Sequence, residues 1–183
     1  MKKYLFILFI LFTSETLAET KKKIIQNLKN INNISFDFEQ NINDKIEYGS
    51  CIVEYEKKIY CNYTSKNNKI LVSNGKSLVI KTVNTGSYYR YPLNKTPLVF
   101  LLDKKYLISK MNILKPREIN GKYLNFTFVE NDNEINIFFN KKNYDLIGWQ
   151  TLDIYQNLSI TFLSSVLKNQ YINKNLFILP KQN

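Results

Sequence analysis

Acidic side chains are the general acid and base candidates of this 183-residue sequence, because it contains no histidine. Without histidine the chain can build neither a Ser-His-Asp triad nor a His-ligated zinc site. Two cysteines cannot complete a Cys₄ metal site, and no glycine-rich phosphate-binding motif occurs. A glycoside hydrolase would need two carboxylates. The acidic residues lie mostly at alternating strand positions or in turns, where a solvated sheet face explains them. Nothing in the sequence selects one carboxylate pair, so a secreted hydrolase that uses two acidic residues stays an open alternative.

The two cysteines are the other reactive pair. Cys51 and Cys61 flank a Glu-Lys-Lys turn within two runs that are typical of a β-hairpin. Because their spacing is even, both side chains point to one face of the sheet. In an oxidising compartment they would form a disulfide, whereas unbonded they would be two small buried apolar side chains. The sequence leaves both alternatives open.

The N-terminus has the pattern of a secretory signal peptide. Two lysines precede an unbroken apolar run over 4–12, and a small-x-small cleavage motif ends at Ala18. The apolar run is too short to span a bilayer. We therefore predict a signal peptide over 1–18, a single domain over 19–183 and a protein outside the cytoplasm. The net charge of +11 comes from scattered lysines, which favours solubility over nucleic-acid binding.

The spacing of apolar residues changes once along the chain, from helical to alternating. Apolar residues at helical spacing predict an amphipathic helix over 20–33, which either packs on a sheet or lies on a membrane surface. From Ile34 the pattern alternates with period two, and Asn74-Gly75 and Asn120-Gly121 predict hairpins with type I′ turns. A last strand is predicted over 176–179. Short strands joined by tight turns indicate an antiparallel meander.

One segment interrupts the strands. Thr96 has the character of a helix N-cap and Pro97 of a first helical residue, and the residues that follow are apolar on every side. Such a helix must be buried or must cover something apolar. A curled sheet under this helix would enclose a cavity for a hydrophobic ligand.

Several segments occur in a characteristic order along the chain. They are the helix before Ile34-Ser35-Phe36-Asp37-Phe38-Glu39-Gln40, Gly49 in a strand, the hairpin to Tyr63, Ile70-Leu71-Val72-Ser73-Asn74-Gly75-Lys76-Ser77-Leu78, Tyr89-Arg90-Tyr91-Pro92-Leu93, Thr96-Pro97-Leu98, Trp149-Gln150-Thr151-Leu152-Asp153 and Leu176-Phe177-Ile178-Leu179-Pro180. This ordered set resembles the LolA-type periplasmic carriers of outer-membrane lipoproteins. The resemblance covers essentially the whole chain after the signal peptide.

The resemblance implies a mainly β fold with a helical lid (α+β), an incomplete, curved antiparallel β-barrel, or half-barrel, covered by short α-helices. It implies a monomeric carrier in the periplasm that is not an enzyme and has no catalytic residue, no metal and no cofactor. Its partners would be triacylated lipoproteins, the inner-membrane ABC transporter that releases them and, in many bacteria, an outer-membrane lipoprotein acceptor, but no nucleic acid. The alternative is a related half-barrel that binds another hydrophobic ligand, as a lipid or lipoprotein acceptor or a sensor.

The resemblance also places residues at the acyl-chain cavity. They are Phe36, Phe38, Cys61, Tyr63, Leu71, Leu98 and Leu101. Alternation along the strand that follows Trp149 adds Leu152 and Ile154. For every one of them ordinary core packing is the alternative, because cavity and core share one face of the sheet.

One departure from the family concerns the lid. Family members commonly carry an Arg-Pro pair in the turn after the glycine-led strand, and that arginine helps latch the lid closed. Lys57-Lys58 stands at this place, so Lys57 is the latch candidate. A lysine donates hydrogen bonds but lacks the planar fork of arginine.

Overall fold

The protein is built on one antiparallel sheet of eleven strands. The computed structural model describes residues 16–64, 68–153 and 155–182. The strands are β1 (Asn33–Ile42), β2 (Lys45–Glu54), β3 (Lys58–Tyr63), β4 (Lys69–Asn74), β5 (Ser77–Thr82), β6 (Ser87–Pro92), β7 (Arg117–Ile119), β8 (Tyr123–Glu130), β9 (Asn133–Asn140), β10 (Leu146–Leu152) and β11 (Leu158–Lys168). The helices are α1 (Leu17–Asn30), α2 (Leu98–Leu102) and α3 (Lys104–Ile113).

The sheet consists of two meanders joined at its centre. Its order is β6-β5-β4-β3-β2-β1-β11-β10-β9-β8-β7, so every neighbouring pair except β1 and β11 is consecutive in sequence. β6 and β7 are the two edges, and α2 and α3 lie in the connection between them. The sheet is curved and unclosed, with short helices as its lid, which confirms the predicted half-barrel.

Two predicted turns differ in their backbone conformation. Asn120 and Gly121 have φ of 51° and 66°, as a type I′ turn requires. Gly75 also has a positive φ, of 95°, but Asn74 does not. Asn74 instead ends β4, and its side-chain oxygen accepts hydrogen bonds from the backbone N–H groups of Lys76 and Ser77. The hairpin at Asn74-Gly75 is therefore confirmed, whereas its predicted type I′ turn is wrong.

α1 is a packed helix and starts three residues earlier than predicted. The hydroxyl of Thr16 accepts from the backbone N–H of Glu19 at 3.3 Å and caps its N-terminus. Ile24 and Leu28 are buried against the core, and the Lys21 ammonium donates to the last carbonyls of α3. In the structure this helix packs against the rest of the protein, as the first of its two predicted alternatives expects.

The predicted signal peptide boundary lies at the start of this helix. Residues 1–15 lie outside the described residues, and the predicted cleavage after Ala18 falls in the first turn of α1. The signal peptide therefore stays a prediction. Within the described ranges, no helix combines the length and the apolar character that a membrane crossing requires.

Helix α2 forms where a helix was predicted, but its cap differs. The hydroxyl of Thr96 donates to the carbonyl of Leu93 in the preceding 3₁₀ turn, so it does not cap α2. Pro97 takes the N-cap position without a side-chain hydrogen bond. Asp103 then caps α3, because its carboxylate accepts from the backbone N–H of Tyr106 at 3.0 Å.

The predicted last strand is wrong. Residues Lys174–Phe177 form a 3₁₀ turn that the side chain of Asn173 caps. Phe177 is buried on the outer face of the sheet, with the Lys58 ammonium 5.7 Å from its ring centre, and Lys174 pairs with Glu54. The segment therefore packs across β3 and β4 and is not part of the described sheet.

A small residue is required where β2 passes Phe38. A Cβ atom added to Gly49 would lie 2.3 Å from the carbonyl oxygen of Asn62 and 2.7 Å from the Phe38 ring. We expect Gly49→Ala to lower the free energy of unfolding by about 1–2 kcal/mol, because the strands must part or the ring must move. Urea titration against Ser50→Ala, an exposed neighbour on β2, measures this cost. Equal midpoints for the two variants would contradict the expected clash.

Candidate hydrophobic ligand cavity

A cavity of about 330 Å³ lies between the inner face of the sheet and helix α2. Thr96, Pro97, Leu98 and Leu101 form its lid side, and strands of both meanders form its wall. The structure places these predicted residues on its lining: Phe38, Cys61, Tyr63, Leu71, Leu98, Leu101 and Leu152. The arrangement can shelter apolar groups from water without completely filling the space between lid and sheet.

Two predicted residues are not part of this lining. Phe36 points to the inner face, but its ring packs edge-on against Trp149 at 6.1 Å between ring centres. Trp149 lines the cavity, whereas Phe36 is 3% exposed and belongs to the core beside it. Phe36 also lines a much smaller space under α2, together with Leu98 and Leu101, so its role in acyl-chain binding stays a prediction. Ile154 lies outside the described residues, so its place in the cavity stays a prediction.

Part of the cavity wall is polar, and its glutamine, serine and threonine residues were not predicted from the sequence. Gln40, Thr151, Ser159 and Thr161 also line the cavity, on β1, β10 and β11. Strict alternation from Trp149 makes Thr151 the next inward residue, whereas the predicted residue Leu152 follows it on the strand. Leu152 lines the cavity at the end of β10. The cavity wall is therefore part apolar and part hydrogen-bonding.

Cys51 and Cys61 are joined by a disulfide across β2 and β3. The two residues are direct partners in the ladder, with a Cα–Cα distance of 4.1 Å. Both line the cavity. Of the two alternatives that the sequence left open, the structure contains the bonded one, and the bond fixes two strands of the wall to each other.

Tyr63 and Gln40 form a hydrogen-bonded network in the wall. The Tyr63 hydroxyl donates to Gln40 Oε1 at 3.3 Å, and Gln40 Nε2 donates to Ser159 Oγ and Thr161 Oγ1 at 3.2 and 3.0 Å. Burial raises the pKa of Tyr63 above its ordinary value, and the charge of Glu47 adds to this effect. Tyr63 therefore remains a hydrogen-bond donor at neutral pH.

The cavity offers little for acid–base or metal chemistry. Asp153 is the one acidic residue among the described lining residues, so a pair of carboxylates for glycoside hydrolysis is not found in this wall. Across 16–64, 68–153 and 155–182, no three Cys, Asp or Glu side chains are grouped as a metal site.

The sequence matches the family model described as outer membrane lipoprotein carrier protein LolA over residues 29–179. The chain belongs to this family. The match spans all eleven strands of the sheet and both lid helices. No curated protein matches the sequence of this LolA-family chain.

Solved structures share the LolA-type fold at very low sequence identity. An uncharacterized conserved protein from Thermus thermophilus superposes with a TM-score of 0.53, at 7% identity, over 91% of this chain and 96% of that chain. MucB, known also in complex with MucA from Pseudomonas aeruginosa, gives 0.50 at 8% identity over 90% of this chain and 63% of its own. A LolA-superfamily protein from Nitrosomonas europaea gives 0.44 at 9% identity, over 87% and 97%.

The latch candidate of this LolA-family protein contacts the lid. The Lys57 ammonium lies 2.9 Å from Asp103 Oδ2, and the Lys57 backbone N–H donates to the Leu102 carbonyl at 3.0 Å. Burial alone raises the pKa of Asp103, but the N–H of Tyr106 and the Lys57 ammonium outweigh it and hold the pKa below its usual value. An ion pair thus joins the β2–β3 turn to the α2–α3 junction.

We expect Asp103→Asn to lower the free energy of unfolding by about 1 kcal/mol at pH 7, because asparagine keeps the helix cap but loses the ion pair. The pKa of Asp103 is lowered on folding, so its contribution is present above the unfolded pKa of about 3.9 and is lost as pH falls through the folded pKa. Urea titrations between pH 7 and pH 2 should show the two proteins converging at the acidic end. A difference that persists there would contradict the ion pair as its cause.

Proposed function

We propose that this protein binds the acyl chains of lipoproteins released from the inner membrane and carries them through the periplasm to the outer membrane. The observation that carries the proposal is an apolar cavity under α2 in a chain of the LolA family. Each CH₂ group withdrawn from water contributes about 0.8 kcal/mol, so long acyl chains need a protein shelter to cross an aqueous compartment.

The size of the cavity indicates how loading must occur. A volume of about 330 Å³ lies at the lower end of ordinary small-molecule sites, which extend to about 1,000 Å³. A triacylated anchor needs more room than the closed cavity gives. We infer that the lid segment with α2 moves away from the sheet on loading, and that the ion pair between Lys57 and Asp103 opposes this movement.

The proposed partners follow from the proposed carrier function. A lipoprotein-releasing ABC transporter of the inner membrane would supply the cargo, and an outer-membrane lipoprotein acceptor would receive it. The carrier itself would act as a monomer without catalytic residues, after export by a signal peptide over 1–18. Release to the acceptor requires binding that is weaker than the acceptor's own, and a cavity that is incompletely filled by protein suits such binding better than dense core packing.

Native mass spectrometry tests the proposal. The protein is incubated with membranes that contain the cognate transporter, ATP and a labelled triacylated lipoprotein. We expect a soluble one-to-one complex that depends on both ATP and the transporter. A protein that remains empty while the transporter is active would overturn the carrier function.

A second candidate function is a half-barrel that binds a single-chain lipid. The small volume of the closed cavity favours it, because one acyl chain needs less movement of the lid than three. The same mass spectra separate the two functions. Bound species with the mass of free lipids, together with no lipoprotein complex, would support this second function.

A further inference from the structure

Three hydroxyl side chains lie side by side on the cavity wall. Thr151 on β10 is the direct ladder partner of Ser159 on β11, and Thr161 lies two residues further along β11 on the same face. Directly opposed residues on one face have Cβ atoms about 4.5–5.5 Å apart. All three side chains are buried, with Thr151 7% exposed, and all three line the cavity. We call these residues the hydroxyl subsite.

Gln40 fixes the direction in which two of the hydroxyls can donate. Its amide nitrogen donates one hydrogen to Ser159 and one to Thr161, and its oxygen accepts from Tyr63. Each of the two hydroxyls thereby accepts one hydrogen bond. A hydroxyl also carries one hydrogen that it can donate. Within the described part of the chain, neither Ser159 nor Thr161 donates to a protein acceptor.

Thr151 is the strongest indication of a missing partner. Its hydroxyl oxygen is buried and has no hydrogen-bond partner in the structure. A buried polar group without a partner costs about 1–3 kcal/mol, and most such groups in proteins are satisfied. A ligand carbonyl oxygen in the cavity has two lone pairs, so it could accept from Thr151 and from one of its neighbours Ser159 and Thr161.

We propose that the hydroxyl subsite donates hydrogen bonds to the carbonyl oxygen of the ester or amide that joins an acyl chain to its headgroup. The inference rests on the proposed function. It adds how deeply an acyl chain enters the cavity. Two charged residues are among the described lining residues, Lys69 and Asp153. Lys69 is paired with Glu47, so the unbalanced charge is the carboxylate of Asp153. This charge favours a neutral carbonyl over an anionic group.

Two probes of equal chain length separate carbonyl recognition from apolar burial. Methyl dodecanoate carries one ester, and tetradecane has the same number of chain atoms without one. Both are delivered from cyclodextrin to the full chain after the signal peptide, and each is measured by displacement of a polarity-sensitive dye. We expect Thr151→Val to weaken binding of methyl dodecanoate about fivefold to tenfold, as one hydrogen bond is lost, and to leave tetradecane unchanged.

The thermal stability of the unliganded protein provides a second readout. Thr151→Val should weaken ester binding but should not lower this stability. Thr151→Val has the same shape and removes an unsatisfied group, so the unliganded variant should unfold at an equal or higher temperature than the wild type. Thr151→Ser keeps the hydroxyl and should retain the preference for the ester. Thr85→Val makes the same change on the exposed surface and should alter neither probe.

The outcomes separate the subsite from the proposed function. An ester preference that Thr151→Val removes and Thr151→Ser keeps would support the hydroxyl subsite. Equal binding of the two probes to the wild type, or an equal loss of both in Thr151→Val, would overturn it while leaving the hydrophobic cavity intact. Failure of both probes to bind the wild type would refute the proposed function and the subsite together.

Discussion

Replacing Leu101 with glutamate should abolish binding of acylated cargo while the protein remains folded. Leu101 is 8% exposed and lies on α2, where its side chain lines the cavity. A glutamate there would have to lose its hydration when acyl chains enter, or take up a proton. Burying an unpaired carboxylate costs several kcal/mol, which corresponds to at least about a hundredfold loss of affinity.

A dye-displacement assay with a synthetic triacylated lipopeptide measures this loss, and circular dichroism checks the fold. Ile113→Glu is the matched control, because it adds the same charge to the neighbouring helix α3 at a position that is 78% exposed. Leu101→Met should keep most of the affinity, since it conserves volume. Cargo binding by folded Leu101→Glu at the wild-type affinity would remove Leu101 from the site.

Loss of the disulfide should have the largest effect on stability. The bond between Cys51 and Cys61 closes a short loop, and cross-links of this size stabilise a protein by about 2–3 kcal/mol, mainly by restricting the unfolded chain. Urea unfolding with and without dithiothreitol measures the difference. We expect the midpoint to fall on reduction, with little change in the slope.

The double variant Cys51→Ala with Cys61→Ala is the control for the reductant. It should unfold like the reduced wild type and should not respond to dithiothreitol. Titration of free thiols under denaturing conditions establishes the redox state of each sample. Identical midpoints for oxidised and reduced protein, with the thiols shown to be free in the latter, would contradict a stabilising role.

The part of the cavity wall that β1 to β4 form could be predicted from the sequence, because the register between consecutive strands is set locally. The family resemblance named Phe38, Cys61, Tyr63 and Leu71, and the structure brings them to one wall because consecutive hairpins keep their inward positions in register. Phe36 satisfies the same pattern. Its separation from the cavity depends on Trp149, a residue more than a hundred positions away, and no local pattern encodes that contact.

The polar lining residues were not predicted, and the predicted last strand was wrong, for reasons that differ from the one for Phe36. Threonine and serine at alternating strand positions are typical of a solvated face, so Thr151, Ser159 and Thr161 gave no indication of burial. The apolar run over 176–179 has strand composition, but a strand also needs a neighbouring edge for its hydrogen bonds. This segment lies on the face of β3 and β4, which already have a hydrogen-bonded strand on each side.

The pairing of β1 with β11 has a consequence for how the chain folds. It joins residues as distant in sequence as Ile34 and Lys168, whereas the other ladders connect strands that follow one another. Nonlocal pairing slows folding, because loop entropy is lost before the contacts form. Each meander can assemble early, and closure of this central seam would set the rate. Until then β1 and β11 each present an unpaired edge to other chains, so both meanders are exposed to aggregation before the seam closes.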